Sequence, residues 1–203
     1  MFKLALKDSV MIFIYLIVSL MLGFGIELIG NGALTVVLGL VNVGFFVMVL
    51  AVYYYTMGKQ EMKIKHTNNI ARKYFLETGN YRELKVEKEY TILKPIIMAL
   101  FSALPLIICI IIYGIMDLTG ALANVPVDQF LTADTVILIV YRLVMTVVRG
   151  FYSTASVYWA LLYIPLVCGS VILPYYLGGR KILANLDQIK ETNRAIYGDK
   201  KWE

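Results

Sequence analysis

Four apolar runs of about twenty residues each constrain this chain more than anything else in it. They cover roughly 9–29, 33–57, 95–117 and 158–177. Crossing about 30 Å of hydrocarbon takes about 20 helical residues, so each run is long enough to span a bilayer. Composition points the same way: 60% of residues are hydrophobic and only 16% are charged, against about 25% charged in soluble domains. The expected fold class is all-α and integral to a membrane, with four transmembrane helices plus amphipathic interfacial helices. The 203 residues form a single membrane domain on this reading.

Lys3 and Lys7 precede the first run, as they would in a secretory signal peptide. The run is longer than the 7–15 apolar residues typical of a signal core, and three more follow, so a retained helix is preferred. Gly30-Asn31-Gly32 reads as a turn into the second run, which ends in Tyr53, Tyr54 and Tyr55, as in an interfacial aromatic belt. Gly23, Gly25, Gly39 and Gly44 would let these two helices approach closely.

The interval 58–94 is the long polar stretch between the two apolar halves. Thr67 is a candidate N-cap and Gly79 a candidate stop for a short helix between them, with Ile70, Ala71, Tyr74 and Phe75 on one face. Residues 81–90 are ambiguous and lean towards helix. Pro95 suits a first helical turn, whereas Pro105, Pro165 and Pro174 fall inside apolar runs and predict kinks.

The outer segment 118–157 contains an apolar stretch with Asp134, Arg142 and Arg149. Two arginines are costly at mid-bilayer, so an interfacial or re-entrant helix is preferred there to a fifth span. The tail 178–203 begins at Gly178-Gly179, which reads as the end of the last span. Beyond it, Ile182, Leu186, Ile189 and Ile196 recur on one helical face.

Charge sets the orientation. Of the 19 lysines and arginines, all but Arg142 and Arg149 fall in the N-terminus, the 58–94 interval or the tail. Four spans put these three segments on one side, where the positive-inside rule makes them cytoplasmic. A fifth span would move the tail outside against that rule. The net charge of +5 is thereby explained without nucleic acid, and anionic headgroups are the expected counter-charge. Arg72, Lys73, Arg180 and Lys181 are the candidate headgroup or partner contacts.

No motif for catalysis, cofactor binding or metal ligation stands out. His66 is the sole histidine, and Cys109 and Cys168 lie in apolar runs without ligand spacing. The candidate polar or transport sites in the membrane are Glu27, Asn42 and Asp117, since acids within spans are often functional. Asn42 also suits a plain interhelical hydrogen bond.

Four short elements carry a resemblance: Tyr-Tyr-Thr-Met-Gly-Lys-Gln-Glu at 54–61, Leu-Lys-Pro at 93–95 ahead of Pro105, Tyr-Arg-Leu at 141–143, and Pro-Tyr-Tyr-Leu-Gly-Gly-Arg-Lys at 174–181. With them the chain resembles four-span membrane proteins of Gram-positive bacteria, a group without an assigned activity. It departs from them by a longer interval before Leu93. The resemblance implies topology and a bacterial cytoplasmic membrane, and it carries over no site.

Three function classes follow. The first is a non-enzymatic accessory or scaffold subunit that binds another membrane protein. The second is a small oligomeric transporter or channel, with Glu27 or Asp117 near its path. A membrane enzyme using His66 comes last.

Overall fold

The computed structural model describes residues 2–30, 32–79, 84–120, 144, 146–148 and 157–197; the side chains of residues 2, 87 and 192–197 are not among the described parts. Every regular element in these residues is helical. The four long helices are α1 (Phe2–Glu27), α2 (Gly32–Thr78), α3 (Leu93–Leu118) and α4 (Tyr163–Tyr197). Single 3₁₀ stretches at Val86–Lys88 and Val157–Leu162 precede α3 and α4. All four long helices are long and apolar enough to cross a membrane.

The helices pack in a ring, α1–α2–α4–α3, with the α2–α4 pair making the most extensive contact. Pairings fix their directions. Ser19 meets Asn42 and Asp8 meets Tyr54, so α1 and α2 are antiparallel. Asp117 near the end of α3 meets Tyr158 just before α4, and Tyr175 further along α4 meets Glu61 of α2, so α4 runs parallel to α2; Gly58 against Tyr175 and Gly178 against Tyr55 mark where the two cross. The core between them is apolar: Ile12, Phe46, Leu50, Met98, Leu106, Val167 and Val171 are almost fully enclosed.

The largest departure from the sequence reading concerns α2. It is one helix of 47 residues, ~70 Å long at 1.5 Å per residue, and not a span followed by a separate platform helix. Thr67 is no N-cap: its Oγ1 donates to the carbonyl of Lys63 within the helix. The helix survives the change from apolar to polar composition because its buried stripe does. Phe46, Leu50, Tyr54, Gly58 and Met62 continue at four-residue steps, with Glu61 beside them and Asn68 and Ala71 buried further along. Gly79, with φ +71°, ends it where a left-handed residue is needed.

Residues 81–83 of the segment read as weakly helical lie outside the described residues, and the remainder holds only the 3₁₀ turn Val86–Lys88. The last span also continues. Gly178 and Gly179 lie inside α4, which runs 35 residues to Tyr197. These glycines allow close approach. A Cβ on Gly178 would sit 2.1 Å from the Tyr55 carbonyl oxygen, and one on Gly58 would sit 2.2 Å from that of Tyr175. By contrast Gly25 and Gly44, expected to pack α1 on α2, have nothing within 4 Å of such an atom. Pro165 falls in the first turn of α4, where its missing N–H costs nothing, while Pro105 and Pro174 are interior.

Most of the outer segment 118–157, including Asp134, Arg142 and Arg149, lies outside the described residues. Val144 and Thr146 are described and buried, and Thr146 packs against Gly39, seven residues into α2. Past the spans, 58–78 of α2 and 178–197 of α4 continue beyond the bundle. Their shared lining residues, from Lys59 and Ile182 out to Lys73 and Lys190, keep them side by side as a two-helix stalk.

Candidate functional site

Where the stalk leaves the bundle, each of the four helices contributes a polar side chain to one buried cluster. Lys94 in the first turn of α3 is at its centre, with its side chain 3% exposed. Its Nζ is paired with Glu61 Oε1 of α2 and lies 2.7 Å from Asp8 Oδ2 of α1. Tyr175 of α4 donates its hydroxyl to Glu61 Oε2 at 2.6 Å and accepts from the Thr91 N–H at 3.4 Å. Tyr54 donates to the Asp8 carbonyl at 3.0 Å. Tyr90 stacks on Tyr175 with centroids 4.9 Å apart, and its ring fills the space that a side chain at Gly179 would occupy.

Burial explains the pairing. A lone ammonium enclosed this far would be strongly destabilising, and two carboxylates supply its partners, with the Tyr175 phenol bonded to Glu61 in turn. Burial pushes the Glu61 carboxyl up; hydrogen bonds from Lys94 and Tyr175 oppose the rise without cancelling it, and the charge of Asp8 reinforces it. With both carboxyls ionised the cluster carries one more negative charge than positive, so it can hold one extra proton.

A second polar group ties the interval before α3 to the stalk. Glu89 accepts from Arg72 at 2.7 Å and from Asn68 at 2.7 Å, while Tyr90 N–H donates to the Glu61 carbonyl. The interval therefore lies along α2 and does not form a separate platform.

The polar candidates read from sequence are not brought together. Asn42 exchanges hydrogen bonds with Ser19, its amide donating to the Ser19 carbonyl at 2.9 Å and its oxygen accepting from the hydroxyl at 2.9 Å. Asp117, near the end of α3, accepts from the Tyr158 hydroxyl at 3.0 Å. Glu27 is the last residue of α1, half-buried at the same end of the bundle as Asp117. Of the basic candidates, Arg72 is engaged by Glu89, whereas Lys73, Arg180 and Lys181 are exposed.

The stalk carries two hollows along the α2–α4 seam. The inner one is lined by Lys59, Lys63 and Thr67 of α2 with Ile182 and Asn185 of α4. The outer one is lined by Asn69, Ile70 and Lys73 with Lys190, and His66, Leu186 and Ile189 border both. Among the described residues no group of three or more His, Cys, Asp or Glu side chains is placed to hold a metal ion.

Sequence reasoning missed the cluster. Its signal was Glu61, a carboxylate four and three residues along from Met57 and Gly58 on the stripe that begins with apolar residues. Compared with family models, curated proteins and solved structures, the chain matches none.

Proposed function

We propose that this protein is a non-enzymatic accessory or scaffold subunit of a bacterial cytoplasmic membrane, binding another membrane protein through its stalk. One observation carries the reading. The paired ends of α2 and α4 extend about 20 residues, ~30 Å, past the apolar spans, yet keep Ile70, Leu76 and Ile189 exposed at 55%, 82% and 55%. Apolar side chains held this far from hydrocarbon are covered most simply by another protein.

Orientation supports a cytoplasmic stalk. The start of α1, the start of α3 and the stalk share one end of the bundle, and this end gathers the lysines and arginines of the described residues. The faces of the spans are covered by exposed Ile14, Ile17, Val41, Phe45, Ile108 and Ile111, as lipid contact requires. Arg180 and Lys181 stand one turn past the last span, at headgroup level.

A second reading, transport, rests on the buried Asp8–Lys94–Glu61 cluster and its room for a proton. Against it, Leu50, Leu106 and Val167 fill the bundle between that cluster and Asp117 with apolar side chains. The deciding experiment is the native mass and composition of the tagged protein purified gently from its own membranes. A stoichiometric second polypeptide is the expected result. A homo-oligomer alone would overturn the accessory reading and move the question to flux assays in liposomes.

A further inference from the structure

The outer hollow has a chemistry more specific than an exposed apolar face. Its floor is Ile70 from α2 with Leu186 and Ile189 from α4; its rim is His66, Asn69, Lys73 and Lys190, and among the described residues no carboxylate lines it. The cavity, about 480 Å³, falls in the range of sites that take small ligands or a few side chains.

Lysines at the inner ends of spans follow from orientation alone, so the height of these residues matters. Lys59 and Lys63 are within ~9 Å of the end of the second span at Met57, counted at 1.5 Å per residue. Ile70 and Lys73 are ~20 and ~24 Å beyond it on the same count. The headgroup region adds only ~5–8 Å on each face of the hydrocarbon. The surface potential of the leaflet decays over about 8 Å at physiological salt. Lipid accounts for the base of the stalk and does not reach the outer hollow. An apolar floor in water, flanked by two lysines, matches an occupant with apolar anchors and anionic flanks.

We infer that the outer hollow of the α2–α4 stalk docks an acidic amphipathic helix of a partner protein, its apolar side chains on Ile70, Leu186 and Ile189 and its carboxylates against Lys73 and Lys190. The inference rests on the accessory reading and names the chemistry of its partner. Helix-in-groove recognition uses anchors at i and i+3 or i+4, which fits a hollow two turns long. The rim charges contribute mainly to association rate and choice of partner, and the floor to retention.

The test uses the full chain in its own membranes with p-benzoylphenylalanine in place of Ile189. A second variant carries the same probe at Leu173, which is 61% exposed on the apolar part of α4. The expected result is an adduct at Ile189 whose cross-linked peptide, read by mass spectrometry, belongs to another protein and carries Asp or Glu beside apolar residues one turn apart. Combining Lys73→Glu with Lys190→Glu should lower that yield at least tenfold and leave labelling at Leu173 unchanged, which shows that the protein still folds and inserts. A lipid adduct, an adduct with a second copy of this chain, a neutral or basic peptide, a yield insensitive to charge reversal, or no adduct would each overturn the inference. If a stoichiometric partner still co-purifies in those cases, the hollow is misassigned and the accessory reading stands. If no partner co-purifies, both fail.

Discussion

Lys94 shows how one residue's environment changes its meaning. In sequence it is the last of the basic residues before a span, and orientation accounts for it; in the fold it is enclosed between Asp8 and Glu61. Replacing Lys94 by Met leaves two carboxylates facing each other without a cation. Breaking a buried pair this way costs about 3–5 kcal/mol; partial exposure of Asp8, at 20%, puts the expected loss at the lower end. Thermal unfolding in detergent would show it as a lowered midpoint, and Glu61→Gln, which keeps an acceptor for Tyr175, should lose less. The pH dependence has a definite sign. Burial raises the Glu61 carboxyl above its unfolded value, with Lys94, Tyr175 and Asp8 the groups that face it. The folded state thus holds that proton more tightly. Stability from this group is fully present below the unfolded carboxyl range and is lost as pH rises through the higher folded value. Glu61→Gln should flatten this decline; an unchanged slope would remove Glu61 as its source. Glu61, in register with the apolar stripe of α2, is the sequence's one sign of this cluster; Asp8 and Lys94 are far from it along the chain and only the helix pairing brings the three together. The interhelical bond of Asn42 was legible, because a lone amide in an apolar run has few other partners.

At the level of elements, the four long apolar helices were legible and their ends were not. Hydropathy marks where hydrocarbon stops, and a helix stops only where its backbone or its packing does. Across 58–66 nothing breaks α2, and the stripe through Gly58, Glu61 and Met62 continues to be buried. Spin labels at Gln60 and Tyr74, both exposed, therefore should report a single narrow distance near 21 Å between backbones, fourteen residues at 1.5 Å each. A broad or bimodal distribution would restore a hinged platform. The glycines test the α2–α4 contact separately. Gly178→Ala drives a methyl into the Tyr55 carbonyl and should destabilise by about 1–3 kcal/mol or more, as overpacked sites do. Gly44→Ala meets no atom within 4 Å and should be neutral or stabilise by up to about 1 kcal/mol through helix propensity. Equal effects of the two substitutions in a thermal unfolding series would contradict the close crossing at Gly178.

For the molecule as a whole, the helix directions and the distribution of charge make one joint prediction. The start of α1, the stalk and the start of α3 lie at one end of the bundle; Leu118 and Gly30 lie at the other. Charge adds which end faces the cytoplasm, because a lysine-rich end resists translocation while the first hairpin turn carries no basic residue. Single cysteines at Lys3, Thr67 and Arg180, in a background with Cys109 and Cys168 replaced by Ala, should be closed to a membrane-impermeant maleimide in intact cells and open in inverted vesicles. A cysteine at Leu118, 90% exposed, should show the opposite pattern. The stalk makes the test sharper than a terminus alone would. Thr67 and Arg180 sit on two helices that run in parallel, so any arrangement that reverses one span must separate them across the membrane and tear the Gly58–Gly178 crossing apart. Agreement of Thr67 and Arg180 with each other tests the four-span count, since a fifth span would separate them; their agreement with Lys3 tests the first hairpin. Access from outside at all three would keep the fold and invert the protein, and with it the compartment in which a partner must be sought.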